Sequence, residues 1–373
     1  MQSLKILNAF NMAQDAYNVT KAMRDKGIQA DLLVPRKCDP LSDPSTEDSN
    51  AYSMSWVKTV DGRFFSPLLH AEMLIKLKKI ATDYSFVFAH VPTSMYFQFY
   101  KTPWVPYDAG LIRHLSVAQG TLPFYKTTFL KRLLKKPGFK LLARSYEKAE
   151  RIVFTNPDTI YRFEEAGLAD KVEFIPFCIP TDKYRPQPKL GMFGDYSPIV
   201  FLVSRHHWRE KGSDRAINAF GEFVKTHPEA LLLMIELGTD LEASKKLAAD
   251  KIPMKNYRFL PFLTKDKLTR VMAESDIVMD QFIGGCWGTA TPEAMACEKP
   301  VLLHYDKDAV RRYFPDPPIC FCGTVGEIKE QLERCSDSET SEDIGRLSRE
   351  YVMKTHSPEI VVKKHMKIVG ELV

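Results

Sequence analysis

Three glycines stand within the seven residues from Phe282 to Gly288, between the apolar run Ile277-Val278-Met279 and a helix start at Thr291-Pro292-Glu293. That order leaves few folds open. A short apolar run that enters a glycine turn and leaves it as a helix is the strand–turn–helix unit of an α/β domain, which binds ligands at the carboxyl ends of a parallel sheet. Glycine takes φ > 0 without steric cost and lets a ligand approach the backbone closely. Pro292 suits a first helical turn, where its missing N–H costs nothing. The free N–H groups and partial positive charge of such a helix start suit phosphate. Glu293, in the same turn, offers a carboxylate that can accept from two adjacent hydroxyls, as on a ribose.

The opening of the chain has the same alternation. Leu4 to Phe10 reads as a strand. Ala16, Val19, Ala22 and Met23 recur at helical spacing within residues 15–26, Gly27 closes that helix, and Ala30 to Val34 reads as a second strand. Such a βαβ opening implies a parallel sheet. Its first connection, Asn11-Met12-Ala13-Gln14, has no glycine and so lacks a dinucleotide fingerprint. Residues 36–55, polar and punctuated by proline, read as a long irregular loop. Phe86 to His90 reads as a buried strand that ends in histidine, and Trp104 to Tyr107 as another, followed by Asp108-Ala109-Gly110-Leu111-Ile112-Arg113-His114. An Asp-x-Gly turn carrying Arg113 and His114 just past a strand stands where α/β active sites stand, although the same residues also suit a helix cap. His90 reads as a core histidine whose strand-end position keeps it a catalytic candidate.

Charges and prolines from Pro180 to Gly191, without periodicity, mark a linker. Past it, Pro198 to Val203 reads as a buried parallel strand. Ser204-Arg205-His206-His207-Trp208-Arg209-Glu210-Lys211-Gly212 follows, then a helix from Ser213 to Lys225. Two cations at such a βα crossing, Arg205 and Lys211, can neutralise the two charges of a pyrophosphate. His206 and His207 read as loop surface.

The glycine turn with Trp287-Gly288, Glu293, Ala294-Met295-Ala296 and Lys299-Pro300-Val301, in this order, resembles the donor site of the retaining GT-B glycosyltransferases of family 4, glycosyl transferases group 1. The Arg205 to Lys211-Gly212 spacing resembles the diphosphate clamp of the same enzymes. Members carry a Glu eight positions before the one matched by Glu293; here Gly285 stands there, with Asp280 the nearest alternative acid. The resemblance implies an α/β GT-B fold of two Rossmann-like domains facing across a cleft. The first, 1–185, would bind acceptor; the second, 186–350, a nucleotide sugar; residues 351–373 would form a helix crossing back to the first. It implies metal-independent transfer of a sugar from a nucleotide-diphosphate sugar to an acceptor hydroxyl with retention, without a resident cofactor. The roles implied are catalytic for His114, Asp108, Arg113, Arg205 and Lys211, and nucleotide-sugar contact for Gly285, Trp287, Gly288, Thr289 and Glu293. Gly285 keeps open a non-catalytic nucleotide-sugar-binding subunit, and the fold also a nucleotide-sugar epimerase or hydrolase.

Composition narrows the setting. With 45% hydrophobic and 27% charged residues the chain suits a soluble protein with a sizeable core. No apolar run reaches the length of about 18 residues that spans a bilayer, and no signal-peptide core is evident. Seven scattered cysteines suggest a reducing, cytoplasmic compartment. The net charge of +5 is modest, and no nucleic-acid partner is expected. Charge is concentrated in residues 125–148, where eight basic residues face one acidic residue among interleaved leucines. That segment reads as two short amphipathic pieces broken at Pro137-Gly138, forming either a solvated face or a docking surface for an anionic membrane, beside which an acceptor glycan, lipid-linked or small, would be met.

Overall fold

The computed structural model describes residues 4–62, 70–114 and 129–373, with the backbone alone at His70, His114 and 129–136. The chain divides into two compact units, Met1–Cys178 together with Pro358–Val373, and Ile179–Ser357. The expected boundaries at 185/186 and 350/351 thus fall at 178/179 and 357/358.

In the first unit seven strands form one sheet: β1 (Lys5–Ala9), β2 (Gln29–Pro35), β3 (Val57–Val60), β4 (Phe86–His90), β5 (Trp104–Asp108), β6 (Ile152–Phe154) and β7 (Val172–Phe174). Their order is β3-β2-β1-β4-β5-β6-β7 and every pair is parallel. Both faces of the central strands are covered, so these read as unbroken apolar runs; all five residues of β4 are buried. Ile6, Phe86, Phe88 and Val105 of the sheet share one core with Val19 and Met23 of the helix Asp15–Asp25. Val361, Val362, Ile368 and Val369 of the closing helix Pro358–Leu372 complete that core.

Two expectations are corrected here. Residues 36–55 do form a loop, but an ordered one, with two 3₁₀ turns, Pro44–Thr46 and Ala51–Ser53. Gln14 and Asn11 tie it to the first βα connection: Gln14 Nε2 donates to the carbonyls of Leu41 and Asp43, both at 3.0 Å, and Asn11 Nδ2 to that of Ser42 at 3.0 Å. The second concerns Pro137, which lies inside a single helix, Phe129–Lys148, and does not break it. Proline removes one N–H and crowds one carbonyl, and a helix packed by its neighbours can absorb this as a bend. Of the basic segment, residues 125–128 lie outside the described residues.

The second unit repeats the plan with β8 (Ile199–Leu202), β9 (Leu231–Ile235), β10 (Tyr257–Leu260), β11 (Ile277–Met279), β12 (Val301–Leu303) and β13 (Cys320–Phe321). The order is β10-β9-β8-β11-β12-β13, again all parallel. Strand order reverses between β8 and β11, and the loops that leave their carboxyl ends bound the crevice where doubly wound sheets take ligands. Those loops carry Arg205 with Lys211, and the glycine turn. Among the described residues no helix is long and apolar enough to cross a membrane.

Candidate functional site: a glycine turn against a cationic loop

The loop after β8 is built around its backbone. Val203 N donates to Met279 O at 3.0 Å and Ser204 Oγ to Asp280 O at 2.6 Å, so this loop starts against the end of β11. The histidine that follows is not on the surface as expected. His206 is fully buried, and burial lowers its ring pKa to about 4. Gly238 explains why: at φ 131° it brings the loop after β9 so close that a Cβ there would lie 2.2 Å from His206 O.

The helical turn Trp208–Lys211 then closes at Gly212, whose φ of 65° is one that only glycine takes freely. A Cβ at Gly212 would press on Phe282 and Ile283 at 3.1–3.3 Å. The two loops are therefore in contact through a glycine, and further bonds join them. Phe282 N donates to Lys211 O at 2.7 Å, Lys211 Nζ to Gln281 Oε1 at 2.5 Å, and Gln281 Nε2 to Cys286 O at 2.8 Å. Arg215 Nη1 reaches the carbonyls of Phe282, at 3.0 Å, and Gly323, at 2.7 Å. Lys211 is thus half-buried and oriented by the glycine turn, whereas Arg205 is exposed and has no ion pair or hydrogen bond among the described residues.

Within the glycine turn the residues separate by role. Gly285 and Gly288 are half-exposed, and Gly285 O accepts from Asp306 N at 2.8 Å. A Cβ at Gly288 would meet open space. Trp287 points the other way: it is buried, with its ring 5.6 Å from Tyr305 and 5.2 Å from Phe314. Thr289 precedes the helix Ala290–Ala296 and makes no side-chain cap. Asp280, the alternative acid near Gly285, is buried, with Oδ2 accepting from Thr291 Oγ1 at 2.7 Å.

Glu293 lies in the first turn of that helix and is 1% exposed. Its Oε1 accepts from Lys265 Nζ at 2.5 Å, while Oε2 has no hydrogen-bond partner. A buried carboxylate oxygen left without a donor costs about 1–3 kcal/mol or more, so a ligand hydroxyl delivered there gains what the empty site lacks. Lys265, the first residue of the helix Lys265–Glu274, was not evident in the sequence: a lysine 28 positions upstream carries no local signal.

The remaining candidates belong to the first unit. Asp108 ends β5 fully buried; its Oδ1 accepts from Gly110 N at 2.6 Å, and its Oδ2 from Ile112 N at 3.1 Å and from the Tyr146 hydroxyl. Burial raises its pKa, opposed by these three bonds and by the Arg113 charge. Asp108 thereby shapes the 3₁₀ turn Leu111–His114. Arg113 grips Asp158 with two nitrogens, at 2.7–2.9 Å. The backbone of His114 ends that turn, and its side chain lies outside the described residues. His90, at the end of β4, is buried with neither ring nitrogen bonded, stacked 4.1 Å from the Tyr107 ring. Burial, with the nearby His365, lowers its pKa to about 3.

Two parallel Rossmann-like sheets in these orders are the α/β fold of the GT-B class, which solved structures of 13–15% identity share. Residues 193–343 match the family model Glycosyl transferases group 1, and they contain Arg205, Lys211, the glycine turn and Glu293. Over 250 residues the chain is 26% identical to the GDP-mannose-dependent monoacylated alpha-(1-6)-phosphatidylinositol monomannoside mannosyltransferase of Corynebacterium glutamicum. That match takes in 60% of this chain and 65% of the mannosyltransferase. Among solved structures, Anabaena Alr3699/HepE in complex with UDP and glucose has a TM-score of 0.73 at 15% identity, over 99% of this chain and 100% of that one. A glycosyltransferase from Rickettsia africae has a TM-score of 0.69 at 13% identity, over 100% and 99%.

Proposed function

We propose that this chain is a glycosyltransferase that moves a hexose from a UDP or GDP sugar to an acceptor hydroxyl with retention and without a metal ion. The observation that carries the reading is the bare Oε2 of buried Glu293, at the start of the helix that follows the glycine turn and inside the matched region. A ribose hydroxyl satisfies that oxygen. Arg205, unpaired and exposed, and Lys211, aimed by Gln281, supply the charge that offsets the leaving diphosphate, an electrostatic stabilisation of the transition state. Support for a nucleotide sugar comes from the names of the relatives, which include a GDP-mannose-dependent enzyme and a protein bound to UDP and glucose. The acceptor side belongs to the first unit, with the turn at His114 as its candidate, and the basic helix as a surface for an anionic membrane that presents a lipid-linked acceptor.

A second reading, nucleotide-sugar binding without transfer, is favoured by Gly285 together with the engagement of Asp280 by Thr291. One experiment separates the two. The protein is screened for thermal stabilisation by UDP and GDP, and then incubated with UDP-glucose and GDP-mannose, with and without chelator, while sugar release and transfer are followed. Stabilisation with turnover that survives chelation, and product of retained anomeric configuration, supports transfer. Stabilisation without turnover supports the binding subunit, and no stabilisation by either nucleotide removes both.

A further inference from the structure

Lys265 and Glu293 form an ion pair in which both partners are largely withdrawn from water, with side-chain exposures of 13% and 1%. Withdrawing two charges from water is expensive, and such a pair is seldom kept for stability alone. Its geometry is also one-sided: Nζ lies 2.5 Å from Oε1, whereas Oε2 is buried and bare. Here one oxygen is committed and the other is left as an acceptor.

Resting on the ribose reading of Glu293, we infer that Lys265 is a positioning residue of the nucleotide site: by holding Oε1 it fixes the carboxylate plane so that Oε2 meets a ribose hydroxyl. The lysine is well placed for this. It begins the ten-residue helix Lys265–Glu274, directly after the connection from β10, while Glu293 begins the helix after the glycine turn. Two helix starts at the carboxyl edge of the sheet are thus joined by a side-chain ion pair. Loss of the lysine would leave the glutamate buried without its cation and free to turn Oε2 away, weakening recognition of the hydroxyl while the diphosphate contacts at Arg205 and Lys211 persist.

The test compares UDP and GDP with their 2′,3′-dideoxy counterparts by calorimetry on the full chain. Wild type should prefer the ribonucleotide by roughly tenfold or more, the scale of one hydrogen bond to a charged group. Lys265→Met should lose most of that preference and bind the dideoxy compound as wild type does, and Lys265→Arg should restore it. A merely structural role would weaken both ligands alike, and that outcome overturns the inference, as does a preference retained in Lys265→Met. Glu293→Gln, measured in parallel, isolates the underlying reading: if it keeps the full preference, the ribose assignment itself fails. If Glu293→Gln loses the preference and Lys265→Met keeps it, only the role of Lys265 is lost.

Discussion

The ring of Trp287 lies 5.2 Å from that of Phe314, tilted by 30°, with the tryptophan 2% exposed. Phe314 in turn stacks on His356 at 5.1 Å. The aromatic of the glycine turn is therefore an anchor: it fastens the turn to the core of the second unit, while Gly285 and Gly288 beside it are half-exposed. Replacing Trp287 with Ala should destabilise that unit by about 3–5 kcal/mol, the usual cost of emptying a buried aromatic site. Denaturant unfolding measures this. A loss below about 1 kcal/mol would mean that the indole is not packed as described.

Arg205 and Lys211 should separate in a way the sequence alone does not foretell. Arg205 is exposed and unpaired among the described residues, so Arg205→Ala should change stability by no more than about 0.5 kcal/mol. It should weaken a nucleoside diphosphate more than the nucleoside. Lys211→Ala should do the same to binding and also cost stability, because Gln281 Oε1 loses its donor. Titration of uridine and UDP, beside unfolding of each variant, checks both. Equal losses for nucleoside and diphosphate would leave these cations with a fold-supporting role only.

Much of this was legible in the sequence, for reasons that particular residues make plain. The runs Phe86–His90 and Ile199–Leu202 are buried on both faces, so their apolar character is continuous and marks a parallel strand without reference to anything distant. The glycine turn announced itself by clustering three glycines between an apolar run and a helix start, yet none of the three has a positive φ, and crowding is seen at Gly284, where a Cβ would lie 2.5 Å from Gln281 Nε2, but not at Gly288. What stayed hidden depends on partners far along the chain. His206 looks like loop surface until Gly238 is seen to close over it, and residues 36–55 look irregular until Gln14 and Asn11 are seen to hold them. Lys265 is one lysine among many until the second helix start places Glu293 against it.

Acidification should unfold the first unit through its buried histidines. Burial lowers His90 to about 3 and His365 to about 4, against 6.5 for an exposed ring. A depressed folded-state value means stability that is complete above pH 6.5 and is lost as pH falls below it. Asp15 acts oppositely: burial raises it to about 6 from 3.8, opposed by the Cys178 N–H that donates to it and by the nearby Tyr107 hydroxyl, so its contribution favours the folded state at low pH and is lost as pH rises through 6. Each histidine takes up about one proton on unfolding near pH 5–6, about 1.4 kcal/mol per pH unit, while Asp15 and the raised Asp108 release protons and oppose it. His90→Leu should flatten the measured dependence by about one proton. An unchanged slope in that variant would show that His90 is not held neutral.

The basic helix calls for the most direct test, because its continuity alters what it can do. Lys140, Arg144 and Lys148 are exposed at four-residue spacing, and so form one stripe. Phe139, Leu142, Ala143 and Tyr146 are buried in the unit itself, and these apolar residues are not available for insertion into lipid. Docking on this stripe would therefore be electrostatic, with about 1 kcal/mol from each basic residue near an anionic leaflet, and salt should release it. Co-sedimentation should bring the protein down with phosphatidylserine-containing vesicles at low salt, but not with neutral vesicles or at high salt. Lys140→Glu with Arg144→Glu should reduce the sedimented fraction. Recovery of wild type in the supernatant with both lipids at low salt would leave the stripe a solvated face.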